Sequence, residues 1–465
     1  MSGTETFTTA QQARIDAAID EIADLYVARF PATIAEPRIV GREAEFPVVD
    51  AQGQSADVRR LWPGLADSGT FHTKYDTGRE HLVVALEGAE YSYALEVGVG
   101  TIEINTRPCA DLFTVAQITQ QAVSALVHVA ARQGNQVLGY GIQPVTPPQL
   151  RIMSPKQRYE SLYRAMGEAW LWYTVTASDQ IQIDIHRAEL LHMLNYANLI
   201  TPLIIALCGN SPVYGGQLSP FCSGREGRMA QIQASEYRHG MPPRPYASIA
   251  DYVAAVSEST HLILHAESLR GTAPGGSPED WAPHHDSAPQ QAVVPGSRPF
   301  TQHLLEHGAD FDAFLFHEHY VWNSARVRVA YGTVEIRPAC QQPWSEHMAA
   351  MALSLGLIEA NGPISDYLVD ALGPDFWHVM RSFHSQAIAR GLQAPQPVPD
   401  FLQTVVELAE AGLRARGQGE EEFFAPIRRR LERRENPAQR ARRVFQVDGL
   451  TGLLALTAIR PDTVA

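Results

Sequence analysis

The sequence predicts an α+β fold in which one mostly antiparallel sheet is packed with helices and leads into a helical C-terminal part. Three observations carry this. Segments alternating apolar and polar residues, the mark of half-buried strands, concentrate in the first three quarters of the chain. The helices between them are of uneven length, without a regular strand–helix–strand alternation, and no glycine-rich phosphate loop follows any strand. From residue 345 onward the pattern is almost entirely helical. No internal repeat and no linker divides the chain, so residues 1–465 read as one domain carrying a 271–299 insertion and a helical 345–465 region.

The elements follow in order. Thr6 to Phe30 reads as an amphipathic helix, with Ile15, Ile19, Ile22 and Leu25 on one face behind threonines able to cap it. From Arg38 to Thr106 the period shifts to two, with glycine and proline punctuation, which implies strands. Val115, Ile118, Val123, Leu126 and Val127 then mark a helix over 112–132. A proline-marked loop at 144–155 precedes a strand at 179–186 that runs into a long apolar helix, 188–208, stopped by Gly209-Asn210-Ser211-Pro212. Residues 271–299 are rich in Pro, Gly, Ser and Ala, the composition of a mobile insertion; metal binding by His284 and His285 is the minor reading there. A strand pair is expected within 320–338.

Composition narrows the function. At 465 residues, 45 % hydrophobic and 19 % charged, the chain can bury a large core. Its net charge of −14 argues against nucleic-acid binding, which needs a basic footprint. The arginine-rich stretch from Arg428 to Arg443 is interleaved with glutamates and apolar positions, the pattern of a solvated helix face. Cys109, Cys208, Cys222 and Cys340 form neither a disulfide framework nor a metal-ligand spacing. The polar, acidic start lacks a signal-peptide pattern, and the longest apolar run, near 199–208, is too short for a bilayer. A cytoplasmic protein without nucleic-acid or membrane partners is implied, and a homo-oligomer is left open.

Four strand segments carry the chemistry. Each has one apolar face and an opposite face of carboxylates or amides: Glu43 and Glu45 in 40–48, Glu103 and Asn105 in 100–105, Gln180, Gln182 and Asp184 in 179–186, and Glu335 with Arg337 in 332–337. Any one such strand is usually just wet on its polar side. Taken together the polar faces are rich in glutamate and poor in lysine, serine and threonine. Carboxylates meeting on one sheet face repel unless cations sit among them, and oxygen-only donors select hard ions, so magnesium or manganese is expected. A magnesium cluster with an arginine at its edge suits phosphoryl transfer from ATP.

The same residues form ordered blocks: Gly41-Arg42-Glu43-Ala44-Glu45-Phe46; Leu95-Glu96-Val97-Gly98 leading to Ile102-Glu103-Ile104-Asn105 and Pro108; Gln180-Ile181-Gln182-Ile183-Asp184; Asn210-Ser211-Pro212; and Glu335-Ile336-Arg337 with Ala339, Pro343 and Trp344. In this order they resemble the glutamate-cysteine ligase family, in the branch of plant-type and ergothioneine-pathway enzymes and bacterial carboxylate-amine ligases. The resemblance implies a sheet curved into a funnel of the glutamine-synthetase and guanido-kinase type. It implies Glu43, Glu45, Glu96, Glu103 and Glu335 as metal ligands, and Gln180 and Gln182 as supporting ligands or nucleotide contacts. Arg337 is implied as a clamp on a phosphate or substrate carboxylate, with Glu103, Glu335 and Arg337 as the catalytic set.

Arg228, Arg238 and Arg326 are similar in place to further arginines of the family's nucleotide and substrate region. The chain departs from the plant-type pattern with Glu226-Gly227 before Arg228, with Ile232, and with Cys340 where that pattern has aspartate. The implied activity joins the γ-carboxylate of glutamate to an amine, cysteine or another amino acid, through an acyl phosphate formed from ATP. A non-catalytic sensor of nucleotide or amino acid, or another magnesium-dependent phosphotransferase, are the alternatives.

Overall fold

The computed structural model describes residues 7–76, 78–232, 238–265 and 293–464. Most of the insertion expected at 271–299, including His284 and His285, lies outside the described residues; its end does not, and Val293–Pro295 pairs antiparallel with Ile263–His265.

Among the described residues ten strands form one sheet: β1 (Val40–Val49), β2 (His72–Asp76), β3 (Arg79–Glu87), β4 (Tyr91–Leu95), β5 (Thr101–Thr106), β6 (Gln136–Leu138), β7 (Asp179–Asp184), β8 (Ala325–Arg328), β9 (Thr333–Ile336) and β10 (Ala458–Ile459). The order is β8-β9-β7-β1-β5-β4-β3-β2, with β6 paired to the far end of β1 and β10 to β6. Every pairing in it is antiparallel, which is the α+β class the sequence predicts. β1, the longest strand, links the two halves of this order, pairing with β5 on one edge and β7 on the other.

Period two decides the two faces. Phe46, Ile102, Ile104, Ile181, Ile183, Val334 and Ile336 point to the helical side, each at most 1 % exposed. Burying side chains of this size contributes up to about 1.5–3 kcal/mol each. Register is therefore stringent, since a one-residue slip would put this apolar set on the polar face. Helix α1 (Thr9–Arg29) is opened by a capping box between Thr8 and Gln11. Its Ile15, Ile19 and Ile22 are buried, but Leu25, assigned by periodicity to the same face, is 41 % exposed. Helix α2 (Leu112–Arg132) begins where Asp111 accepts a hydrogen bond from the Thr114 amide at 2.7 Å, and packs on β5, β4 and β1.

Helix α3 (Leu190–Cys208) packs beneath β8 and β9. With the 3-10 turn before it, the 187–208 stretch is the one described helix long and apolar enough to cross a membrane, more than its 199–208 core suggests; 83 % of its apolar window is buried within the protein. The C-terminal part is helical as expected, with one correction. The chain returns to the sheet at β10, where Ala458 pairs with Leu138 and Ile459 with Val137.

Candidate active site

The acidic cluster follows from register. Glu45 on β1 stands opposite Glu103 on β5, and Ala94 of β4 lies opposite Glu103 on its other side. The chain leaves β4 at Leu95, which brings Glu96 over the same spot. One carboxylate oxygen from each of Glu45, Glu96 and Glu103 lies within 4.8 Å of the others. Glu45 accepts hydrogen bonds from the Ser178 amide at 2.6 Å and Gln180 Nε2 at 3.2 Å, and Glu103 from Asn105 Nδ2 at 2.7 Å.

These contacts do not offset the crowding. Burial, then Glu96, pushes Glu45 up to about 7 against the opposing pull of Arg225. Burial, then Glu96, Glu43 and Glu45, holds Glu103 well above the carboxylate range. Gln180 Oε1 is buried and accepts no hydrogen bond from any of the described residues. Three carboxylates at this spacing, beside an unsatisfied amide oxygen, can hold a hard divalent cation, which would relieve both costs.

The turn carrying Glu96 is fixed by close backbone approach. Lys156 Nζ donates to the Leu95 carbonyl at 2.6 Å, and Ser154 Oγ to that of Glu96. A Cβ on Gly98 would lie 1.8 Å from the Thr174 carbonyl oxygen, so the glycine is required by space. Gly98→Ala is expected to cost about 1–3 kcal/mol of stability by overpacking and to move Glu96. Denaturant unfolding and the magnesium dependence of the variant check both, and a variant unchanged in both would show that the turn tolerates a side chain.

Across the sheet the charge reverses. Gln182 Nε2 bridges Glu43 Oε1 at 2.9 Å and Glu335 Oε2 at 3.0 Å, which sets Glu43 between the two regions. Glu335 stands opposite Gln182 on one side and Arg326 on the other. It is ion-paired with Arg326 at 3.2 Å, Arg328 at 3.5 Å and Arg337. Its carboxylate thus lies among arginines, outside the Glu45–Glu96–Glu103 group. Burial, then Arg326 and Arg225, pulls Arg337 down to about 9. Burial and Arg326 bring Arg328 to about 9 as well. Both stay protonated at neutral pH, but such crowded cations favour an anionic ligand.

The segment after α3 holds the other cations. Arg225 in helix α4 (Gly224–Ile232) pairs with buried Glu226 and acts electrostatically on Glu45 and Arg337. Burial would raise Glu226, but His239 at 3.2 Å and Arg225 outweigh it and hold the carboxyl at about 2. Arg228, expected from the sequence among the nucleotide and substrate contacts, lies over the rings of Trp172, Tyr214 and Phe221, at 5.1, 5.2 and 5.8 Å. Buried Arg238 donates to the carbonyls of Tyr320 and Thr260. Arg225 is not among the residues expected from the sequence, although Ser223-Gly224-Arg225 carries the serine-x-arginine spacing that the resemblance places three residues downstream.

Residues 39–452 match the model of glutamate-cysteine ligase family 2. Over 216 residues the chain is 28 % identical to the glutamate–cysteine ligase EgtA of Mycolicibacterium smegmatis, covering 45 % of this chain and 49 % of that one. Over 245 residues it is 24 % identical to a putative glutamate–cysteine ligase 2-3 of Rubrobacter xylanophilus, covering 50 % and 57 %. These matches span about half the length of those relatives. Its fold is similar to that of a bifunctional glutathione synthetase from Pasteurella multocida, with a TM-score of 0.52 at 13 % identity, over 97 % of this chain and 54 % of that one. With the family model matched over most of its length, the chain belongs to glutamate-cysteine ligase family 2.

Proposed function

We propose that this protein is an ATP-dependent carboxylate–amine ligase that joins the γ-carboxylate of glutamate to an amine through an acyl phosphate. The observation that carries the reading is the charge division of one sheet face. Glu45, Glu96 and Glu103 gather at one end, Arg326, Arg328 and Arg337 around Glu335 at the other, and Gln182 with Glu43 lies between.

The chemistry needs both ends. Transfer of the γ-phosphoryl group of ATP to a carboxylate brings two anions together, and the barrier falls where fixed cations meet the charge of the transferring group. Glu45, Glu96 and Glu103 would hold magnesium or manganese, whose role when bound is to neutralise phosphate oxygens. Arg337, Arg326 and Arg328 present guanidinium groups, and an incoming carboxylate or phosphate competes with Glu335 for them. Arg225, acting on both Glu45 and Arg337, is suited to the zone where phosphoryl donor and acceptor meet. The acyl phosphate forms as ADP leaves. The amine then attacks its carbonyl carbon, the carbon–oxygen bond to phosphate breaks, and no protein nucleophile is needed.

Given ATP, magnesium, glutamate and a panel of amines that includes cysteine, the purified protein is expected to release phosphate in step with a new γ-glutamyl amide for one amine class. Mass spectrometry of the product identifies it. Phosphate release without amide would favour a simple phosphotransferase, and magnesium-independent ATP binding without turnover a sensor.

A further inference from the structure

The arginine-rich stretch near the C-terminus takes no part in the sheet-face chemistry. The helix Ala425–Arg433 and the helix Pro437–Thr457 meet at a corner that faces the segment 343–347. Between them lies a cavity of about 500 Å³, within the range of small-molecule sites. Its charged walls are Arg429, Arg430, Arg433 and Arg440, with Glu346 and Glu435 as the acids, which leaves two positive charges in excess.

The acids are already engaged. Arg430, 4 % exposed, donates to Glu346 at 2.7 Å and to the Leu207 carbonyl at 3.0 Å, and Arg429 approaches Glu346 at 3.7 Å. Glu435 pairs with Arg443. Among the described residues, the side chains of Arg433 and Arg440 make neither an ion pair nor a hydrogen bond. They belong to different helices, so one ligand could be gripped from two directions. Asn436 and Pro437, at the start of the helix Pro437–Thr457, also line the cavity, but the first amides of that helix are bonded within the protein, so the arginine side chains supply the grip. Trp344, stacked on His347 at 4.2 Å and 12°, gives the cavity a flat, rigid wall.

A polynucleotide does not suit a chain of net charge −14 whose surplus cations sit in a concavity rather than along a stripe. We propose that this cavity is a second anion site, separate from the sheet face, for a small phosphate-class anion of two or more charges such as pyrophosphate or a phosphate monoester. Guanidinium forks match phosphate oxygens bidentately. The site is also in contact with the sheet. Glu346 adjoins His347, whose carbonyl accepts a hydrogen bond from Arg42 at 2.8 Å, and Arg42 precedes Glu43.

The test is calorimetric titration of the full chain with inorganic pyrophosphate in the presence of a chelator. Wild type and Glu103→Gln are both expected to bind, because the site needs no divalent cation. Arg433→Glu/Arg440→Glu is expected to weaken binding by about tenfold or more, and Arg433→Gln/Arg440→Gln by less. Both positions are exposed, so thermal unfolding of these variants should match the wild type. Pyrophosphate binding that is unchanged in the charge-reversed protein overturns the proposal, since Arg433 and Arg440 would then not hold the anion. So does the absence of binding by wild type up to about 10 mM.

Discussion

Glu103→Gln is expected to lower amine-dependent phosphate release by roughly 10²–10³-fold, and at the same time to make the cation-free protein more stable than the wild type. The two effects have one cause. Glutamine keeps the oxygen that accepts from Asn105 Nδ2 and changes little in volume, so packing is preserved. It removes one charge from the group formed with Glu45 and Glu96, and with it an anionic donor for a divalent cation. The wild-type carboxyl is raised on folding from an ordinary value near 4.5. Its contribution to stability is therefore full below that value and is lost as pH rises through the folded pKa. Glu45, raised to about 7, contributes with the same sign. In a chelator the stability gap between variant and wild type should widen from pH 5 to pH 8, and magnesium should narrow it by stabilising the wild type alone. Thermal unfolding across that pH range, with and without magnesium, reads the effect. A variant that is both active and no more stable at pH 8 would show that the three carboxylates do not act as a cation site.

That cluster was legible in the sequence because strand periodicity and register share the same physics. Glu43 and Glu45 had to share a face once Ala44 and Phe46 were read as core, and Glu103 likewise once Ile102 and Ile104 were. What periodicity could not give was which strands are neighbours. β1 pairs with both β5 and β7, and only that arrangement brings Glu45 against Glu103 while carrying Glu335 away to the arginines. Glu96 lies past the end of β4, where alternation has stopped; only the block resemblance singled it out. Arg228 and Arg225 differ by three residues, about one helical turn, so spacing alone did not decide between them. The surroundings of Arg228 depend on the rings of Trp172, Tyr214 and Phe221, drawn from distant parts of the chain. Leu25 and the returning β10 are smaller cases of the same limit, since both depend on what happens to lie alongside.

Asp179→Ala is expected to destabilise the protein by about 3–5 kcal/mol, the cost of leaving a buried charge without its partner. Arg42 breaks the apolar face of β1, between Val40 and Ala44, and nothing in the period-two pattern accounts for it. Its guanidinium is fully buried and grips Asp179 through Nε to Oδ1 at 2.8 Å and Nη2 to Oδ2 at 2.9 Å. Nη2 also donates to the His347 carbonyl at 2.8 Å. Burial raises the Asp179 carboxyl even against the pull of Arg42, so desolvation is the larger effect at this site. The pair is therefore no strong source of net stability, although breaking it is expensive. Arg42→Met with Asp179→Leu should lose far less than either single change, and urea unfolding of the four proteins gives the coupling directly. A single-variant cost below about 1 kcal/mol would mean that water reaches the guanidinium. If the double variant is stable yet inactive, the pair's role lies in placing its neighbours. Arg42 and Asp179 adjoin Glu43 and Gln180 in the chain, so tying these two strands together from below fixes how the polar groups above them meet.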